Sequence, residues 1–245
     1  MTEQIFPPID DDAANPNSQP LNSSVEPIPL EIAFVLDRSG SMSSKRQATI
    51  SGFNEYLNDL KRQQCEHPEL GEINFTLTQF NDVVTTHYAG VPIEHVAELT
   101  ENNYITEGNT ALYDAIAQAI YAVERKVGES GRKGKTKIQV TIQTDGEENN
   151  SREFDRARIF ALIQQKQAEG NWTFTYLGCD IDAYAAGSAI GVPSGNIAAY
   201  TAQDSARAIG NLGGRSMTLR SSRNLNSRNF YDDDNDDTNG SGRVN

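Results

Sequence analysis

Hydrophobic and polar positions alternate between two periods along the middle of the chain. Leu30-Glu31-Ile32-Ala33-Phe34-Val35-Leu36 is a nearly continuous apolar run that stops at Asp37, the pattern of a strand covered on both faces. Ile50, Phe53, Leu57 and Leu60 then recur at helical spacing, with Ser43 or Ser44 available as an N-cap. Ile73 to Phe80 and Val83 to Tyr88 alternate with period two around Asn81-Asp82, which predicts a tight hairpin. Leu112, Ile116, Ile120, Val123 and Val127 mark a second amphipathic helix, closed by Gly128. Lys137 to Thr144 reads as a strand ending at Asp145-Gly146, and Phe154 to Glu169 as a helix with Gly170 just past its end. Trp172 to Leu177 predicts a further strand, Ala183 to Ile190 a short helix, and Asp204 to Leu212 a last one.

Strands alternating with helices predict an α/β fold: a doubly wound, Rossmann-like, mostly parallel sheet with helices on both faces. The Asn81-Asp82 hairpin adds one antiparallel strand, expected at an edge. The folded part spans residues 30–220. Residues 1–29 carry Pro7, Pro8, Pro16, Pro20, Pro27 and Pro29 together with Asp10 to Asp12. Such a segment has too little apolar surface to offset the entropy of ordering, so a disordered arm is expected. Residues 221–245 read as a disordered tail, arginine-rich and then acidic at Asp232-Asp233-Asp234-Asn235-Asp236-Asp237.

Charge narrows the function classes. Lys and Arg number 21 and Asp and Glu 34 in 245 residues, a formal net charge of -13, which argues against a protein built to grip nucleic-acid phosphates. Cys65 and Cys179 are the two cysteines and neither lies in a metal-binding pair. No apolar run approaches the roughly 18 residues of a membrane span, and Met1-Thr2-Glu3-Gln4 opens no secretory signal. A cytoplasmic location is expected.

Ligands of such sheets collect at the carboxyl ends of the strands. Asp37-Arg38-Ser39-Gly40-Ser41 follows the first strand and Thr144-Asp145-Gly146 follows the Lys137 strand, while Glu107-Gly108-Asn109-Thr110 precedes the second helix. Asp37, Ser39 and Ser41, alternating on a turn, can aim three oxygens at one point, and Thr110 and Asp145 add two more. Five hard oxygens with no nitrogen or sulfur select Mg²⁺, Mn²⁺ or Ca²⁺ over Zn²⁺ or Cu²⁺. Two carboxylates and three neutral hydroxyls leave a dipositive ion electrophilic, with room for a visiting carboxylate.

These residues carry a family resemblance. Asp37-Arg38-Ser39-Gly40-Ser41-Met42 resembles the DxSxS motif of von Willebrand factor type A domains, Gly108-Asn109-Thr110-Ala111-Leu112 their threonine loop, and Thr144-Asp145-Gly146-Glu147-Glu148-Asn149 their aspartate loop. The likeness runs from about Glu31 to Ile190, and Gly178-Cys179-Asp180-Ile181-Asp182 is similar to bacterial and phage members. It implies a metal-ion-dependent adhesion site (MIDAS) in which Asp37 and Asp145 bind through water or directly and Ser39, Ser41 and Thr110 bind through hydroxyls. It also implies a partner protein that presents an Asp or Glu to the metal, with Glu147 and Glu148 as solvated loop acids or as regulators of the ion.

Two other readings stand beside this non-enzymatic one. A metal-assisted hydrolase would have to use Glu147 or Glu148 as its base, because no histidine or lysine base accompanies the motif. A structural or assembly subunit would instead self-associate through its charged tails.

Overall fold

The computed structural model describes residues 26–132 and 134–231. Most of the predicted N-terminal arm and the acidic run from Asp232 onward lie outside the described residues. Among the described residues six strands form one sheet: β1 (Leu30–Asp37), β2 (Ile73–Phe80), β3 (Val84–Pro92), β4 (Lys137–Thr144), β5 (Trp172–Cys179) and β6 (Ile197–Tyr200). Their order is β3-β2-β1-β4-β5-β6. β3 pairs antiparallel with β2 at one edge and the other pairings are parallel, as the hairpin pattern predicts.

The strands divide the core into two layers because successive side chains point to opposite faces. Ile32, Phe34 and Leu36 of β1 face α1 (Arg46–Glu66), α5 (Ser205–Gly210) and α6 (Leu212–Ser221). There the rings of Phe34 and Phe53 meet edge to face with centroids 5.4 Å apart, and Phe75 and Tyr56 pack beside them. Ala33 and Val35 face the opposite layer, built from α2 (Leu112–Arg132), α3 (Arg156–Ala168) and α4 (Ala183–Ala189). Gly128 leaves helical geometry at φ 51°, where the sequence pattern closes the second helix.

Three local features differ from the sequence reading. Neither Ser43 nor Ser44 caps α1: a 3₁₀ turn over Gly40–Lys45 feeds the helix directly, and the Ser43 hydroxyl donates to the Gly40 carbonyl at 2.7 Å. β6 adds an edge strand of only four residues, too short to carry a readable period. α6 follows α5 in place of a loop, although Gly213 and Gly214 lower its intrinsic propensity.

The described chain also continues past residue 220. Residues 222–231 lie against the β5–β6 edge: Asn196 Nδ2 donates to the Ser227 carbonyl at 2.8 Å, Phe230 N–H donates to Asn196 Oδ1 at 2.7 Å, and Phe230 is buried. Composition reads residues 221–245 as tail, yet the chain as far as Phe230 packs on the fold, and Arg220, the last residue of the expected domain, works inside it. Its guanidinium donates to the carbonyls of Gln63, His67 and Gly71, satisfying acceptors at and beyond the end of α1. Lys137 does the same for α6, donating to the carbonyls of Leu219, Arg220 and Ser222. These two cations lock the end of the sheet opposite the candidate site.

Candidate metal centre

Register places the site. β1 and β4 are neighbours paired Leu36 to Gln143, so Asp37 and Asp145 emerge side by side at their carboxyl ends. Asp37 is fully buried, with Oδ1 accepting from Ser39 N–H at 2.7 Å and Oδ2 from the Thr144 hydroxyl at 2.5 Å. Burial raises its pKa; the bonds from Thr144 and Ser39 oppose that shift and the nearby Asp145 charge adds to it. Ser41 Oγ donates to Asp145 Oδ1 at 2.6 Å and lies 3.0 Å from Ser39 Oγ.

Thr110 arrives from a separate loop held against β1 and the hairpin. Gly40 N–H donates to the Gly108 carbonyl, Glu107 N–H to the Arg38 carbonyl, and Ala111 N–H to the Asn81 carbonyl. Gly108 has φ +73°, and a Cβ there would stand 1.8 Å from Asp82 Oδ2, so only glycine fits the turn. A Cβ on Gly146 would lie 3.5 Å from Thr110 Oγ1 and 3.7 Å from Ser41 Oγ. Both hydroxyls therefore border one cradle beside Gly146. All five predicted residues converge on it from β1, the Thr110 loop and the end of β4.

Glu148 and Glu147 part company. Both Glu148 oxygens are engaged: Oε1 accepts from Asn150 and Ser151 N–H, and Oε2 from Tyr113 N–H and the Ser151 hydroxyl. Glu148 thus satisfies an orphan donor of the first turn of α2. Glu147 is exposed on the loop.

Lys45 was not among the predicted residues. Its Nζ donates to Asp145 Oδ2 at 2.7 Å and lies 3.4 Å from Asp180 Oδ2. Burial opposes the ammonium charge, but the hydrogen bond and charge of Asp145 outweigh it and raise the pKa above the usual lysine value. Asp180 holds φ +55°, rare for a non-glycine residue. Three carboxyl groups, Asp37, Asp145 and Asp180, outnumber the one Lys45 ammonium around the cradle.

The donor set fits a hard divalent cation. Among the described residues no three His, Cys, Asp or Glu side chains are grouped to hold a metal; this site combines two carboxylates with hydroxyls. Asp37, Ser39, Ser41, Thr110 and Asp145 are the residues that would hold an ion, Asp37 also fixing the Ser39 backbone.

No family model and no curated protein matches the chain. Solved structures do. The vWF domain of the type V pili tip protein Mfa5 from Porphyromonas gingivalis aligns over 80% of this chain and 97% of its own, with a TM-score of 0.52 at 9% identity. The fold is von Willebrand factor type A-like. A von Willebrand factor type A protein from Catenulispora acidiphila aligns over 78% of this chain and 43% of its own (TM-score 0.50, 13% identity). Proximal thread matrix protein 1 from the mussel byssus aligns over 76% and 46% (TM-score 0.51, 15% identity), and one of its structures has a zinc-occupied MIDAS motif. The chain spans less than half the length of these last two proteins. Among the described residues no helix is long and apolar enough to cross a membrane.

Proposed function

We propose that this chain is a divalent-metal-dependent protein-binding module of MIDAS type, whose partner supplies an Asp or Glu. The carrying observation is the proximity of Ser39, Ser41, Thr110 and Asp145 around a cradle beside Gly146. When bound, Mg²⁺, Mn²⁺ or Ca²⁺ supplies an electrophilic position that a partner carboxylate can fill. The chain's own residues do the rest. Asp37, buried and twice hydrogen-bonded, fixes the Ser39 backbone and the end of β4. Ser41 orients Asp145 Oδ1, and the Asn149 side chain accepts the Thr110 N–H at 2.9 Å and sets the Thr110 loop.

Lys45 gives the cradle a resident counter-charge. A dipositive ion must compete with that ammonium for Asp145, and a metal-free protein need not leave the carboxylate buried and unpaired. A hydrolytic reading is less well supported, because Glu148 spends both oxygens on the start of α2.

The test is affinity capture in Mg²⁺ and in chelator, with Asp37→Ala as control. A partner retained only by wild type in Mg²⁺, and lost when one of its own acids is neutralised, supports the reading. A partner retained equally by Asp37→Ala in chelator overturns it.

A further inference from the structure

Lys45 stands between two carboxylates in unlike surroundings. Its Nζ is 2.7 Å from Asp145 Oδ2 and 3.4 Å from Asp180 Oδ2. The first contact is a charge-assisted hydrogen bond, and the second is longer than one. Asp145 is wholly covered, whereas the Asp180 side chain is 44% exposed.

The backbone holds Asp180 in place as an acceptor. It follows β5 directly, and its N–H donates to the Tyr200 carbonyl of β6 at 3.1 Å. Oδ1 accepts from Ala202 N–H at 3.3 Å, while Oδ2 receives the Cys179 thiol at 3.5 Å and faces Lys45. The residue keeps this position at φ +55°, a left-handed conformation that aspartate and asparagine tolerate better than other side chains.

A divalent ion on Asp145 creates a problem for the ammonium. Lys45 is only 10% exposed, so an ion that took its partner would leave a covered charge unpaired beside a dication. A movement of about 0.6 Å shortens the 3.4 Å separation from Asp180 to the roughly 2.8 Å of a charge-assisted bond. Because Asp180 is partly in water, its charge costs little while Lys45 stays on Asp145.

We propose that Asp180 is the second seat of Lys45: it takes the ammonium when a divalent ion occupies Asp145, and so sets the metal affinity of the cradle without touching the ion. Asp180 is then a positioning residue. Its effect on affinity rests on the metal reading of the cradle, whereas the seat itself belongs to the metal-free chain.

Two measurements on the full chain test this. Asp180→Asn removes the charge, keeps an acceptor for Ala202 N–H and tolerates the left-handed backbone. The first measurement is calorimetric titration of Mg²⁺ alone into chelator-stripped protein, in about 0.15 M salt to screen the direct field of Asp180. Asp180→Asn should bind Mg²⁺ about fivefold more weakly than wild type, the worth of a partly exposed ion pair. Added to Lys45→Met, the same substitution should change affinity by less than about twofold, since no ammonium is left to seat.

The second is urea unfolding in chelator on an Asp145→Asn background, which removes the charge of the first seat. There a double-mutant cycle of Lys45→Met and Asp180→Asn should show coupling of about fivefold in the unfolding constant, more than when Asp145 keeps its charge. Cooperative transitions of unchanged slope establish that the variants fold. Equal losses of Mg²⁺ affinity in the presence and absence of Lys45 make Asp180 a ligand of the ion and overturn the second seat. Coupling that does not grow on the Asp145→Asn background overturns it whatever the metal does. A wild type that binds no Mg²⁺ overturns the metal reading, and with it the control of affinity, even where the coupling is present.

Discussion

Lys45→Met removes an ammonium and keeps the length of the side chain, so its consequence can be worked from the ion pair. Lys45 is 10% exposed, Asp145 is wholly covered, and Nζ sits 2.7 Å from Oδ2. Removing one partner of a buried pair leaves the other charge uncompensated and costs about 3–5 kcal/mol. Asp145 also receives the Ser41 hydroxyl, so the lower end, about 3 kcal/mol, is expected. For a domain of this size that lowers Tm by roughly 6–12 °C in chelator. A divalent ion replaces the missing charge, so Mg²⁺ should stabilise the variant more than wild type. At 100 times Kd, binding adds about 2.7 kcal/mol, and the variant's Kd should be the lower of the two because no ammonium competes. Thermal unfolding followed by circular dichroism, with EDTA and with 10 mM Mg²⁺, reads both effects. If the variant melts with wild type in EDTA, or Mg²⁺ raises both Tm values equally, Lys45 is not the counter-charge of the site.

Other perturbations separate the site from its scaffold. Arg220→Ala strips donors from three carbonyls at the opposite end of the sheet; it should cost about 3 kcal/mol in denaturant unfolding while leaving metal affinity within about twofold. Gly108→Ala forces a side chain onto a positive-φ turn and into Asp82, so stability should fall by at least about 1 kcal/mol and metal affinity with it, since Thr110 is displaced; unchanged calorimetric titrations would refute the assigned role of the turn. Cys65 is exposed, whereas Cys179 is buried and its thiol is pushed up to about 11 by that burial, against a weaker opposing bond from Ser205. Thiol titration at pH 8 should therefore show one fast group and one that reacts only on unfolding, and two fast groups would contradict the packing of β5.

The strand ends, and the loops that carry the five proposed donors, were legible because each loop lies where a period breaks: the apolar run stops at Asp37, the β4 pattern at Thr144, and the α2 pattern begins after Thr110. Lys45 was not, because its partners Asp145 and Asp180 are distant in sequence and only the parallel pairing of β1 with β4 brings Asp145 near. Glu148 looked like a loop acid because its role depends on where Tyr113 and Ser151 stand in space. Arg220 and Lys137 broke the rule that cations mark the surface: both are buried, and both find helix-end carbonyls as acceptors. The short β6 and the glycine-bearing α6 are fixed by tertiary packing against Tyr176 and α1 more than by local preference.

Isothermal titration of Mg²⁺, Mn²⁺ and Ca²⁺ into chelator-stripped protein, beside Asp37→Ala and Thr110→Ala, tests the central claim most directly. The account predicts one ion per chain, weakened at least about tenfold by either substitution and bound more tightly by Lys45→Met. Failure of every ion to bind at millimolar concentration, or binding indifferent to Asp37 and Thr110, would contradict it.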